Sequence, residues 1–115
     1  MTRARRPPRY SLTAVPQVRG DIDGLAAFGV EVVDAAREIA DDLAHGRVFG
    51  KRLAGRNVSG DLTGFSRVKF DLPGRRPQRF RLLYREVDNV TLEIVAVGVR
   101  DQHAIYRSAV ARLRP

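Results

Sequence analysis

The stretch from Arg79 to Val99 constrains the fold of this chain more than any other. In RFRLLYREV (Arg79–Val87) Phe80, Leu82 and Tyr84 fall on one face and Arg79, Arg81 and Arg85 on the other, the two-residue period of a strand with one buried side. TLEIVAVGV (Thr91–Val99) is apolar over most of its length, as expected for a central strand. Between them Asp88-Asn89, two residues that tolerate the left-handed region, predict a tight hairpin. With that pair at the turn centre, Arg81 faces Ala96 and Arg100 falls on the same face by parity. Upstream, FSRVKF (Phe65–Phe70) sets Arg67 and Lys69 against Val68 and Phe70, and Pro73-Gly74-Arg75-Arg76-Pro77 supplies the connecting turn. Three consecutive strands of this kind make an antiparallel meander.

The first half reads as helix. Val30, Val33, Ala36, Ile39, Ala40 and Leu43 recur at spacings of three and four, with Glu31, Asp34, Asp41 and Asp42 mostly opposite, and Gly46 is the stop. A shorter helix is expected over Gln17–Phe28, entered through Pro16, and a first strand over Tyr10–Val15. Ala104–Leu113 suits a closing helix. The order β-α-α-β-β-β-α defines an α+β domain, a small, mostly antiparallel sheet with helices packed on one face. With 115 residues there is room for one core, assigned to residues 10–115, preceded by a basic arm over residues 1–9 that reads as flexible. That arm has no apolar segment behind it and so does not read as a secretory signal, and no apolar run reaches the ~18 residues of a membrane span. The absence of cysteine excludes disulfides, thiolate chemistry and cysteine zinc sites, and fits a cytoplasmic protein.

Charge is segregated along the chain. The net +8 comes from 21 basic residues, 19 of them arginine, against 13 acids. Residues 21–46 are acidic at −6, whereas residues 47–85 carry +9. Arginine is the planar, bidentate phosphate binder, so the composition points to an anionic partner, a nucleic acid before a membrane surface. Arg67, Lys69, Arg81 and Arg100 share a face by parity, and like charges on neighbouring strands repel. Two readings stand: a phosphate site built against local stability, or a solvated sheet face with arginine as the default base. The remaining chemical inventory is sparse. There is no P-loop, G-x-G-x-x-G or HExxH motif, GDLTG (Gly60–Gly64) reads as a turn, and nothing brings His45 and His103 together as an acid–base pair.

The stretches GDLTGFSRVKF (Gly60–Phe70), RFRLLYREV (Arg79–Val87) and IVAVGVRDQHAIYRSAVARL (Ile94–Leu113) resemble the RelE/ParE superfamily of bacterial toxins, in particular its RelE-type messenger-RNA interferases. The shared pattern is a leucine-containing turn, a basic strand, an x-R-L-x-Y strand, an apolar strand ending in G-x-R, and a tyrosine six positions beyond that arginine. Arg67 and Lys69 match the basic pair, Arg81 the second strand, and Arg100 and Tyr106 the last two positions. This resemblance implies a toxin of a type II toxin–antitoxin system that cuts mRNA in the ribosomal A site. The 2′-hydroxyl would attack the adjacent phosphate, leaving a 2′,3′-cyclic phosphate without metal or other cofactor.

On that resemblance Arg81 and Arg100 stabilise charge on phosphorus oxygens and Arg67 orients the phosphate. Lys69 and Tyr106 are the candidates for proton transfer, with base stacking or core packing as the alternatives for Tyr106. Lys51, Arg52, Arg75, Arg76, Arg79 and Arg85 are assigned to the RNA and ribosome surface. The implied partners are mRNA on the ribosome and a RelB-like antitoxin, with no membrane, and DNA reached only through the antitoxin. Two other functions compete, a non-catalytic ParE-like gyrase inhibitor on the same fold and a plain basic RNA-binding domain.

Overall fold

The computed structural model describes residues 7–53, 56–57, 60–100 and 104–113. Elements follow in the order β1 (Ser11–Ala14), α1 (Gln17–Gly24), a 3-10 turn (Leu25–Phe28), α2 (Val30–Ala44), β2 (Lys51–Arg52), β3 (Arg56–Asn57), β4 (Gly60–Asp61), β5 (Phe65–Phe70), β6 (Phe80–Asp88), β7 (Thr91–Val99) and α3 (Ala104–Arg112). Five strands form one mixed sheet in the order β1-β7-β6-β5-β2, in which β1 runs parallel to β7 and the other neighbours are antiparallel. Strands β3 and β4 form a separate two-stranded ribbon, which the sequence pattern did not suggest. Residues 1–6 of the expected basic arm, and His103, lie outside the described residues.

The sheet is covered on both faces, not one. On the first face α1 and α2 pack Val18, Val32, Val33, Ala36 and Leu43 against Val68, Phe70, Phe80, Leu82, Tyr84 and Ile94. On the second, Ile105 and Ala109 of α3 pack against Phe65, Leu83, Val95 and Ala96. The physical reason lies in β6 itself, where Leu83 sits between Arg81 and Arg85 and is fully buried. A face carrying a leucine there needs its own cover. Within α2 the buried stripe includes Val32, while Val30 at the first helical position is 64% exposed, since a first-turn residue has no preceding turn to pack on. Gly46, expected as the helix stop, has φ +70 just past His45.

The hairpin turn is one residue later than expected, centred on Asn89-Val90 with Asp88 opposite Thr91 and the Val90 N–H donating to Asp88 at 2.9 Å. Two irregularities follow, at Glu86/Asp88 and at Leu83/Tyr84. They offset each other, so Arg81 ends opposite Gly98 and not Ala96. Parity survives the two-residue slip. The space beside Arg81 differs, because its cross-strand neighbour has no side chain.

Candidate anion-binding site

The register places the basic residues of three strands side by side. Lys51 of β2 is opposite Arg67 of β5, and Lys69 of β5 is opposite Arg81 of β6. The short β2 is held by a close approach. The Gly50 N–H donates to the Tyr84 hydroxyl at 2.8 Å, and a Cβ at Gly50 would stand 2.7 Å from the Tyr84 ring and 3.0 Å from the Arg67 carbonyl. Only glycine fits there. Arg100 follows β7, and its N–H donates to the Arg79 carbonyl at 2.6 Å.

Arg81 is 3% exposed over the whole residue. Its Nη1 donates to the carbonyls of Gln78 at 2.9 Å and Phe80 at 2.8 Å, which locks the guanidinium. Burial lowers its affinity for its proton, the Tyr106 hydroxyl opposes that effect, and Arg100 and Arg67 add to it. An arginine stays charged through such shifts. Arg67 donates from Nη1 to the Tyr106 hydroxyl at 3.3 Å, while its Nε is buried and has no partner among the described residues. Lys69 is exposed, and Arg67 foremost, then Arg81, lost hydration, Arg100 and Lys51, push its ammonium below the ordinary lysine value. Arg67, Lys69, Arg81, Arg100 and Tyr106 therefore interact as one group, at the end of the sheet where α3 begins. Such a group can receive an anion on fixed cationic donors, with a hydroxyl and an amine beside it.

No family model matches the sequence, and no curated protein matches it. Among solved structures, a free-state E. coli toxin RelE carrying two arginine-to-alanine changes aligns over 92% of this chain and 99% of its own, with TM-score 0.65 and 19% identity. The RelBE2 toxin–antitoxin complex from Mycobacterium tuberculosis aligns over 84% of this chain and 95% of its own, with TM-score 0.56 and 27% identity. The chain has the fold of the RelE-type toxin superfamily.

Around this RelE-type core the other basic residues divide. Lys51 joins the group through its place opposite Arg67, and Arg52 lies next to it, exposed and opposite Ser66. Arg75 and Arg76 are exposed on the loop between β5 and β6. Arg79 and Arg85 do not share the face with Arg81 as free cations. Arg79 is paired with Asp71 through Nε at 2.8 Å and Nη2 at 2.9 Å, and its guanidinium lies 4.9 Å from the Phe80 ring centre. Arg85 is paired with Glu93 on β7 at 2.8 Å. Sequence reasoning missed both pairings and a third, Arg112 with Asp21 at 2.6 Å. None of the three was legible. The expected register put Arg85 opposite Leu92, and only the irregularity at Glu86/Asp88 brings it opposite Glu93. The other two join residues far apart in sequence or bridged by a turn. Among the described residues, no group of three or more His, Asp or Glu could hold a metal, and no helix is long and apolar enough to cross a membrane.

Proposed function

We propose that this protein is the toxin of a type II toxin–antitoxin system, a ribosome-dependent endoribonuclease acting in the cytoplasm on mRNA in the A site. One observation carries the reading: the Tyr106 hydroxyl stands at the Arg67 guanidinium within a group that includes Lys69, Arg81 and Arg100. The reaction is attack by a ribose 2′-oxygen on the adjacent phosphorus. That P–O bond forms as the bond to the 5′-oxygen breaks, leaving a 2′,3′-cyclic phosphate and a 5′-hydroxyl. The 2′-hydroxyl proton passes to a base, and the departing oxygen takes one from an acid.

Arg81 and Arg100 stabilise the charge that grows on the phosphoryl oxygens, and Arg67 orients the phosphate. Neutral Lys69 is suited to take the 2′-proton, since its neighbours favour the neutral amine. Tyr106 supplies a proton or a stacking surface. So few groups suffice where the ribosome holds the substrate in line. The partner is a RelB-like antitoxin, a reading supported by the similarity to a chain of the RelBE2 complex.

Mapping of transcript ends with and without ribosomes tests the proposal. New ends with a 5′-hydroxyl that need ribosomes and vanish in Arg81→Ala are expected. Uncut transcripts together with inhibited DNA supercoiling favour the gyrase-inhibitor reading instead, and RNA binding without cleavage favours the plain binding domain.

A further inference from the structure

The last residue of α3 makes a heavily bonded side-chain contact outside the cationic group. Arg112 donates from Nη1 to Asp21 Oδ2 at 2.6 Å and from Nη2 to Asp21 Oδ1 at 2.9 Å, and from Nη1 also to the Val95 carbonyl at 2.9 Å. Asp21 Oδ2 in turn accepts the Val97 N–H at 3.0 Å. Both side chains are more than four-fifths covered, at 18% and 17% exposure. Pairing between β1 and β7 ends at Ala14 opposite Ile94, so Val95 and Val97 lie on the stretch of β7 that β1 leaves uncovered. The ion pair caps that edge and joins α1, β7 and α3.

A nine-residue helix does not persist alone and takes its stability from docking. Its fully buried docking residues are Ile105 and Ala109, with Tyr106, Val110 and Leu113 partly buried beside them. A bidentate arginine–carboxylate pair fixes orientation. Tyr106 lies six residues before Arg112, roughly 9 Å along the same rigid helix. We infer that Asp21 and Arg112 are positioning residues, a clasp at the far end of α3 that holds the Tyr106 hydroxyl against Arg67 and Arg81. This inference rests on the reading of that group as the cleavage site.

The test compares Asp21→Asn, Arg112→Gln and Arg112→Lys with the wild type, each also combined with Tyr106→Phe. Asp21→Asn keeps an acceptor for Val97, and Arg112→Lys keeps the charge without the fork. Each single variant is expected to lose about tenfold or more in kcat at little-changed KM, as a misplacement of the order of 1 Å does. In the Tyr106→Phe background the same changes are expected to cost nothing further, because they act through that hydroxyl. Full activity in the single variants, or an equal loss in both backgrounds, overturns the inference. The Tyr106 ring resonances of the free protein give a readout that needs no cleavage. They shift in Arg112→Gln if the clasp positions the ring and stay in place if it does not. A wild type that cuts nothing defeats the endoribonuclease reading and leaves the clasp to be judged on those resonances.

Discussion

The Asp71–Arg79 pair at the end of β5 leads to a pH-dependent prediction whose size follows from its geometry. The Asp71 side chain is fully covered and accepts four hydrogen bonds, from the Leu72 N–H at 2.7 Å, the Arg79 N–H at 2.9 Å, Arg79 Nε at 2.8 Å and Arg79 Nη2 at 2.9 Å. The Arg79 guanidinium first, and these two backbone amides, hold the carboxyl well below the ordinary carboxylate range despite its burial. Asp71→Asn keeps the shape and one acceptor oxygen but turns the other into an NH2 group facing donors. Hydrogen bonds to charged groups contribute ~1.5–3 kcal/mol each. Arg79 is 28% exposed and regains some water, so the cost at neutral pH is about 2 kcal/mol.

The sign with pH is fixed by the lowered value. The unfolded chain has an ordinary aspartate near ~4, so the pair contributes its full stability above that pH. As pH falls through about 4 toward the folded value, the contribution shrinks, by up to ~1.4 kcal/mol per pH unit for one proton. Urea denaturation of both proteins between neutral and strongly acidic pH reads this directly. The difference between wild type and Asp71→Asn is expected to hold steady above about pH 5 and to close on acidification. Parallel stability curves, or a neutral-pH difference under about 0.5 kcal/mol, refute the account. The consequence reaches the site, because the Arg79 carbonyl anchored by this pair accepts the N–H of Arg100.

Gly50→Ala drives a methyl group against the Tyr84 ring and the Arg67 carbonyl, neither of which moves cheaply, and is expected to cost about 2–4 kcal/mol. Tyr84→Phe removes only the hydrogen bond to Gly50 and is expected to cost about 1 kcal/mol, so equal thermal denaturation of the two variants argues against the steric account. If neutral Lys69 is the base, cleavage rises with pH and levels off below the ordinary lysine value near ~10.4. Lys69→Arg is expected to abolish that rise, and an unchanged pH profile removes the base role.

The meander was legible because its residues alternate with a period of two and its turns carry proline, glycine and aspartate. What escaped was the second cover. Leu83 was visible among the arginines of its strand, yet a single leucine on a polar face carries no periodic signal, and the helices were expected together on one face as a result. Arg67, Lys69, Arg81 and Arg100 were placed on one face by parity, Tyr106 was added only by the family resemblance, and parity survived because the two hairpin irregularities offset each other. Which of the neighbouring arginines are free was not legible. Asp71 and Arg79 stand eight residues apart across a turn, and Asp21 and Arg112 span nearly the whole chain. Such pairs depend on tertiary placement, which a local pattern does not encode.

The members of the cationic group offset their mutual repulsion unequally, and this separates their roles. Arg81 is buried and has two carbonyls on one nitrogen, so it is rigid before any ligand arrives. Arg67 holds a buried Nε–H with no partner among the described residues, a condition that costs about 1–3 kcal/mol until an acceptor hydrogen-bonds to it. On the proposed cleavage reading, a phosphate bound in the ground state gives that Nε–H an acceptor once the side chain turns toward it, whereas a fixed Arg81 acts most on charge that develops during reaction. Arg67→Gln is therefore expected to raise KM with a modest change in kcat. Arg81→Gln is expected to lower kcat by about a hundredfold or more at similar KM. Steady-state cleavage of ribosome-bound mRNA gives both constants for each variant. If the two substitutions change KM and kcat in the same proportion, the orphaned Arg67 Nε and the locked Arg81 do not divide the work, and the two arginines act as one undifferentiated positive surface.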